Sequence, residues 1–114
     1  MKNKLFLLFF LFIFILNSCV KEKIVCTITS PAENSMFSLS QSIEVNVEAS
    51  TTKGSIIQVQ LLVDDEAIQS LTKEPYQFTI PPKTIPVGLH LITAVAYNSM
   101  NNQEVANVYI TIEE

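Results

Sequence analysis

The chain has 114 residues with seven lysines, no arginine and eleven acidic side chains, a formal charge of −4. With an 18-residue leader set aside, five lysines face all eleven acids, a charge of −6 on what remains. That balance argues against a nucleic-acid partner, since gripping phosphate needs Lys and Arg in excess. It also disfavours adhesion to an anionic lipid surface by charge.

At the N-terminus, Lys2 and Lys4 precede twelve apolar residues, Leu5 to Leu16. Twelve helical residues reach about 18 Å, short of the about 30 Å hydrocarbon core, so the run reads as a targeting segment rather than a transmembrane span. Next comes Leu16-Asn17-Ser18-Cys19, which resembles the lipobox of bacterial lipoproteins. The resemblance implies cleavage before Cys19 and a thioether-linked lipid with palmitate-type acyl chains on its sulfur. The mature protein would then be anchored in the bacterial envelope, on its periplasmic or its surface side. A leader cut by ordinary signal peptidase is the alternative. Lipid on Cys19 would leave Cys26 as a lone buried thiol, and a Cys19–Cys26 disulfide is the competing reading. The boundaries are residues 1–18 for the signal peptide, 19–23 for the lipidated N-terminus and short linker, and 24–114 for the domain.

From Ile24 the apolar pattern has period two. Residues 24–29 read as a first strand ended by Ser30-Pro31, and 42–49 as a second with Ile43, Val45, Val47 and Ala49 inward. A third covers 57–63, and Asp64-Asp65 forms a tight hairpin into a fourth over 66–71. Pro75 opens a fifth strand with Tyr76, Phe78 and Ile80 on one face. The sixth runs 89–97 and the seventh 105–112. Seven short strands with turn signals about every ten residues predict an all-β, antiparallel sandwich. Alternating strand directions place the loops near 51–55, 72–75 and 98–103 at the N-terminal end. The turns at 31–40, 64–65 and 81–88 fall at the other end, with Glu33, Asp64, Asp65, Glu66, Glu113 and Glu114 against Lys83.

Ile28-Thr29-Ser30-Pro31, Gly54 ahead of Val59, Leu61-Leu62-Val63-Asp64, Pro75-Tyr76-Gln77-Phe78 and the run Gly88 to Asn98 resemble the bacterial Ig-like module. The resemblance spans roughly 25–113 and implies a single Ig-like β-sandwich. It is nearly silent on function, since such modules serve as spacers, adhesion units or carbohydrate-associated accessories. Asp65 stands where the family has Gly, and Asn98 where it has Asp; both residue types tolerate turn conformations.

Little chemistry can be assembled. His90 is the lone histidine, so no two-histidine metal site or His-assisted nucleophile network can form. The resemblance implies that it lies on the inward face of its strand, where a hydrogen bond to nearby backbone would occupy it. The acidic run Asp64-Asp65-Glu66 sits on a hairpin tip, which supplies neither the cleft nor the shifted pKa values that acid/base catalysis needs. Weak calcium binding there is the alternative to simple solvation. Two glycines allow no phosphate-cradling loop.

The remaining candidate is the outer face of the sheet formed by the third, sixth and seventh strands, where Leu62, Leu91, Val95, Tyr97 and Tyr109 share a side with Gln58, Gln60, Thr93, Asn107 and Thr111. Tyrosines beside amides and hydroxyls suit protein contact or stacking on sugar rings. Cross-strand packing alone is the plainer explanation. The expectation is a non-enzymatic envelope lipoprotein that needs no cofactor or metal. It contacts the membrane through Cys19 and uses its module for adhesion or scaffolding with a protein partner. The alternatives are a carbohydrate-binding accessory using the same face, and a small periplasmic inhibitor or hydrolase.

Overall fold

The computed structural model describes residues 22–114; the leader, the Leu16–Cys19 segment and Lys21 lie outside the described residues. Eight strands follow in chain order: β1 (Ile24–Ser30), β2 (Ser35–Ser38), β3 (Ile43–Thr51), β4 (Ile56–Val63), β5 (Glu66–Leu71), β6 (Tyr76–Ile80), β7 (Gly88–Asn98) and β8 (Gln103–Glu113). They form a three-stranded sheet, β1-β3-β6, facing a five-stranded one, β2-β8-β7-β4-β5.

Period-two alternation decides which side chains meet between the sheets. In β3, Ile43, Val45 and Val47 are buried while Glu44 and Glu48 are exposed, and Tyr76, Phe78 and Ile80 of β6 are buried beside them. Phe78 is 1% exposed, and the opposite sheet's Leu61, Ile92 and Ile110 are fully buried in the same core. Removing the Phe78 ring would cost about 3–5 kcal/mol, through lost burial and the cavity left behind. Cys26 projects toward this core from β1 as a free thiol, and burial pushes its pKa up to about 11.

The count of strands is eight rather than about seven. The added one, β2, falls in the 31–40 stretch expected to be turn. After Pro31 the chain passes from one sheet to the other, and β2 pairs parallel with β8 from Ser35↔Ile110 to Ser38↔Glu113. Its four residues, Ser-Met-Phe-Ser, carry no alternation of their own, so the β8 edge supplies what the local sequence does not. Farther along that edge, Glu33 Oε1 accepts from the Tyr109 N–H (2.8 Å) and Glu104 Oε1 from the Val105 N–H (3.2 Å). Carboxylates set on edge amides discourage strand-to-strand association.

The Asp64-Asp65 hairpin has the expected tight turn, with φ of +49° and +67°. Both central residues are left-handed, as a two-residue type I′ loop requires. The loops sort into two poles as their alternation implies. At the hairpin pole the Asp64 N–H donates to Leu91 O (2.9 Å) and the Lys83 N–H to Leu39 O (2.9 Å). At the N-terminal pole the Thr52 N–H donates to Lys23 O (3.0 Å) and the Ser99 N–H to Ser55 O (2.9 Å). Gly54 lies in that second junction at φ +69°, where a Cβ would stand 2.2 Å from Ser99 Oγ. No side chain larger than hydrogen fits there without displacing Ser99.

Asn98 closes the N-terminal pole. It is 0% exposed, and its Oδ1 accepts from the N–H groups of Met100 (3.0 Å) and Asn102 (2.9 Å), folding the β7–β8 loop around itself. Its Nδ2 donates to the Glu22 carboxylate and to Thr51 Oγ1 (3.1 Å). Asn102 Nδ2 donates to the other Glu22 oxygen at 2.6 Å. Asn at this position therefore does more than tolerate a turn, because an aspartate could not donate and would face a second carboxylate. Asn98→Asp should lower stability by roughly 2 kcal/mol, the scale of a buried polar group left unpaired. Adding Glu22→Gln should recover part of the loss by restoring a donor. Equal urea midpoints for the wild type and the single variant would show that the clamp carries no stability.

Candidate functional site

The outer face of the five-stranded sheet is built in cross-strand rows. Leu89 pairs with Thr111, Leu91 with Tyr109, Thr93 with Asn107, Val95 with Val105 and Tyr97 with Gln103. On the other flank of β7, Gln58 meets Tyr97, Gln60 meets Val95 and Leu62 meets Thr93. Met36 of β2 adds to the first row by pairing with Thr111.

This register puts Leu62, Leu91, Val95, Tyr97 and Tyr109 on one face, as the alternation implied, but their exposure differs widely. Val95 and Thr93 are each 7% exposed, because β7 is central and side chains from β4 and β8 close over both flanks. Leu62, Leu91 and Tyr97 are half-buried. The Tyr97 hydroxyl donates to Gln60 Oε1 (3.3 Å) and the Thr93 hydroxyl to Asn107 Oδ1 (2.8 Å). Of the five, Tyr109 alone is largely open, at 46%.

Three further apolar residues join it on this face: Leu89 at 66%, Met36 at 61% and Val105 at 43% exposed. Leu89 and Val105 continue the odd-numbered alternation of β7 and β8, so their periodicity could have placed them. Met36 could not be placed this way, since its strand exists only through pairing with β8. Together these residues form an apolar strip along β8 and the hairpin-pole end of β7. Glu33 and Glu113 border it, next to Tyr109 and Ser38 respectively.

His90 and Asp64 lie at the end of the strip, on its inner side. His90 Nε2 sits 2.7 Å from Pro86 O, which can only accept, so this nitrogen donates. Nδ1 lies 2.5 Å from Asp64 Oδ2, and Asp64 Oδ1 accepts from the Leu91 N–H at 2.9 Å. The expected backbone bond to His90 is present, joined by a carboxylate partner from the hairpin. Partial desolvation pushes the Asp64 pKa upward, but the bonds from His90 and Leu91 outweigh it and hold the group below its ordinary value. The arrangement staples the β4–β5 turn to β7 through one bond to each Asp64 carboxylate oxygen. Among the described residues no three His, Cys, Asp or Glu side chains gather as a metal-holding group. Glu33, expected at the acidic tip, lies instead on the flank of β8, where its carboxylate holds an edge amide.

On the opposite sheet, an open groove runs between Val25, Thr29, Asn46, Glu48, Pro75 and Gln77. Its one aromatic neighbour, Tyr76, is 5% exposed, so the groove presents no ring for stacking. Asn46 Oδ1 is buried there without a partner.

Two facing sheets, parallel pairing of a short strand with β8, and a polar corner at the start of β7 define an Ig-like sandwich. Residues 25–94 match the bacterial Ig domain family, and the chain belongs to that family. Residues of the "Ulvan lyase, long isoform" of Alteromonas are 28% identical over 80 positions, which is 64% of this chain and 8% of that enzyme. Among solved structures, the fibronectin(III)-like modules of Clostridium thermocellum CbhA superpose with a TM-score of 0.73 at 26% identity, over 83% of this chain and 49% of theirs. The Bacteroides ovatus mixed-linkage glucan utilization locus SGBP-B, bound to a mixed-linkage heptasaccharide, shares the fold with a TM-score of 0.54 at 8% identity, over 84% of this chain and 25% of that one. The chain thus spans about half or less of the proteins it resembles.

His90→Ala should destabilise the domain by about 1–2 kcal/mol, through the lost bonds to Pro86 O and Asp64 and some packing. Asp64, with its folded pKa depressed, contributes stability that is complete above the unfolded value of about 4 and fades as pH falls through the folded one. The advantage of the wild type over Asp64→Asn should therefore be present at pH 6 and shrink with acid below pH 4. Urea titrations at pH 6, 4 and 2.5 test this, and a constant gap between the two proteins would rule it out.

Proposed function

We propose that this chain is a non-catalytic accessory module of the bacterial envelope, tethered by lipid on Cys19, and that it docks a protein partner on the outer face of its five-stranded sheet. The observation that carries the docking surface is that four of the eight exposed large apolar side chains, Met36, Leu89, Val105 and Tyr109, share one face, with Asn107 and Thr111 between them. Exposed aliphatic side chains on a sheet face suit a protein surface, where shape-matched apolar contact supplies affinity. The neighbouring acids favour a partner with basic residues around its own apolar patch, since complementary charge speeds encounter. The tether rests on the Lys2-Lys4 leader, the apolar run and Leu16-Asn17-Ser18-Cys19.

A glycan is the second reading, favoured by one observation. The half-exposed Tyr109 ring stands beside the Thr93–Asn107 hydrogen-bonded pair, the mixture of ring and polar groups that sugars use. The resemblance to part of an ulvan lyase agrees with an accessory role beside a polysaccharide-acting enzyme. Against it, a single open ring gives a poor platform for a chain of sugars.

Three experiments test the anchor and decide between these readings. Cys19→Ala should abolish labelling by a fatty-acid probe and leave an uncleaved precursor; unchanged labelling would remove the anchor. A photo-crosslinking residue at Leu89, used in cells, should give a discrete protein adduct that disappears in Tyr109→Ser while the melting temperature holds. Retardation in polysaccharide-containing gels that depends on Tyr109, with no protein adduct, would move the assignment to the glycan.

A further inference from the structure

The net charge of the mature chain argues against contact with anionic lipid, but charge is unevenly placed. Lys23, Lys53 and Lys73, three of the four lysines among the described residues, lie at the N-terminal pole, and only Lys83 lies at the other. Lys23 is locked to the β3–β4 loop by its N–H donating to Thr52 Oγ1 (2.8 Å). Lys73 shares an open hollow with Gly54 and Ser55. Two exposed apolar side chains stand among them, Met100 at 55% beside Gly54 and Ile57 at 48% at the start of β4.

The acids of this pole are Glu22, Glu74 and Glu104. Glu22 is occupied by the Asn98 and Asn102 amides and Glu104 by the Val105 N–H. The pole is close to neutral overall, whereas the hairpin pole carries Asp64, Asp65, Glu66, Glu113 and Glu114 against Lys83. An anionic surface repels the second pole and tolerates the first, so it orients the domain.

The tether sharpens this. Glu22 is fastened to the β7–β8 loop, so the reach to Cys19 is counted from Glu22 and not from β1. Three residue steps reach about 11 Å at full extension. A weak contact within so short a tether is held at high effective concentration. Apolar tips flanked by lysines fit an interface in which hydrocarbon meets the acyl boundary and ammonium groups meet lipid phosphate.

We propose that the N-terminal pole is a bilayer-contact surface, with Met100 and Ile57 entering the headgroup region and Lys23, Lys53 and Lys73 facing phosphates. The occupant is the membrane that holds the anchor, so the proposal rests on lipidation of Cys19. The contact keeps the domain upright and leaves the Tyr109 face turned sideways, open to a neighbour in the same membrane.

The chain contains no tryptophan, so one introduced indole reports its own surroundings. Full-length M100W and, as the distal control, E114W would be produced in a bacterial host. Both would be reconstituted into vesicles of brominated phosphatidylcholine with phosphatidylglycerol. M100W should shift to the blue and lose most of its emission to bromine, while E114W keeps its own. Adding Lys53→Glu and Lys73→Glu to M100W should weaken that quenching. Emission from M100W as unquenched as that from E114W would overturn the proposal. The mass of the Cys19 peptide from the same sample separates the two ideas: an acylated peptide with unquenched M100W defeats the contact alone, and a peptide without acyl chains defeats both.

Discussion

The rest of the structure depends on covering β7 from both sides. It is central in the five-stranded sheet, and Ile92, Thr93, Ala94, Val95 and Ala96 are all buried in an unbroken run. On the inner side the core from β3 and β6 does this. On the outer side only cross-strand neighbours are available, and Leu62, Gln60, Asn107 and Val105 lean over Thr93 and Val95. The small residues Ala94 and Ala96 on the inner side leave room for β1, where Cys26 Sγ comes within 3.7 Å of Ala94 O. A strand buried on both faces must have its backbone bonds fully paired, and β4 and β8 supply them.

Each end of β7 is then fixed by one polar side chain with several partners. His90 at the start is held between Pro86 O and Asp64, and Asn98 at the end is held by Glu22, Thr51 and the amides of its own loop. Both clamps join segments distant in sequence, which alternation of apolar residues cannot do, because the hydrophobic effect has no direction. They set where the loops lie, and so they set the two poles of the domain. The uneven division of lysines and carboxylates between those poles has meaning only because the clamps hold the loops in place.

Function in such a module resides in what the sandwich leaves open. The three-stranded sheet has a polar outer surface with a groove and no open ring. The five-stranded sheet has the apolar strip, bordered by acids and close to the hairpin pole. Two glutamates occupy edge amides of β8, so the association proposed for the strip would use side chains and not added strands. The same Ig-like frame carries many activities in other proteins, and the assignment here rests on the strip and on the leader, not on the fold.

The sequence by itself determined the sandwich, the inward set of nearly every strand and the tight Asp64-Asp65 turn. These follow from period two and from turn residues, which act over a few positions. It also placed Tyr97, Tyr109, Leu62, Leu91 and Val95 on one face, because a strand has only two. Tertiary structure decided which of them are open, since exposure depends on the neighbouring strand and not on the residue's own. Val95 is covered by flanking strands, while Leu89 stands free at the end of its strand. Tertiary structure also created β2, whose pairing comes from a strand more than seventy residues away in the chain. It gave Asn98 its buried role, because a donor's value depends on which carboxylate the fold brings to it.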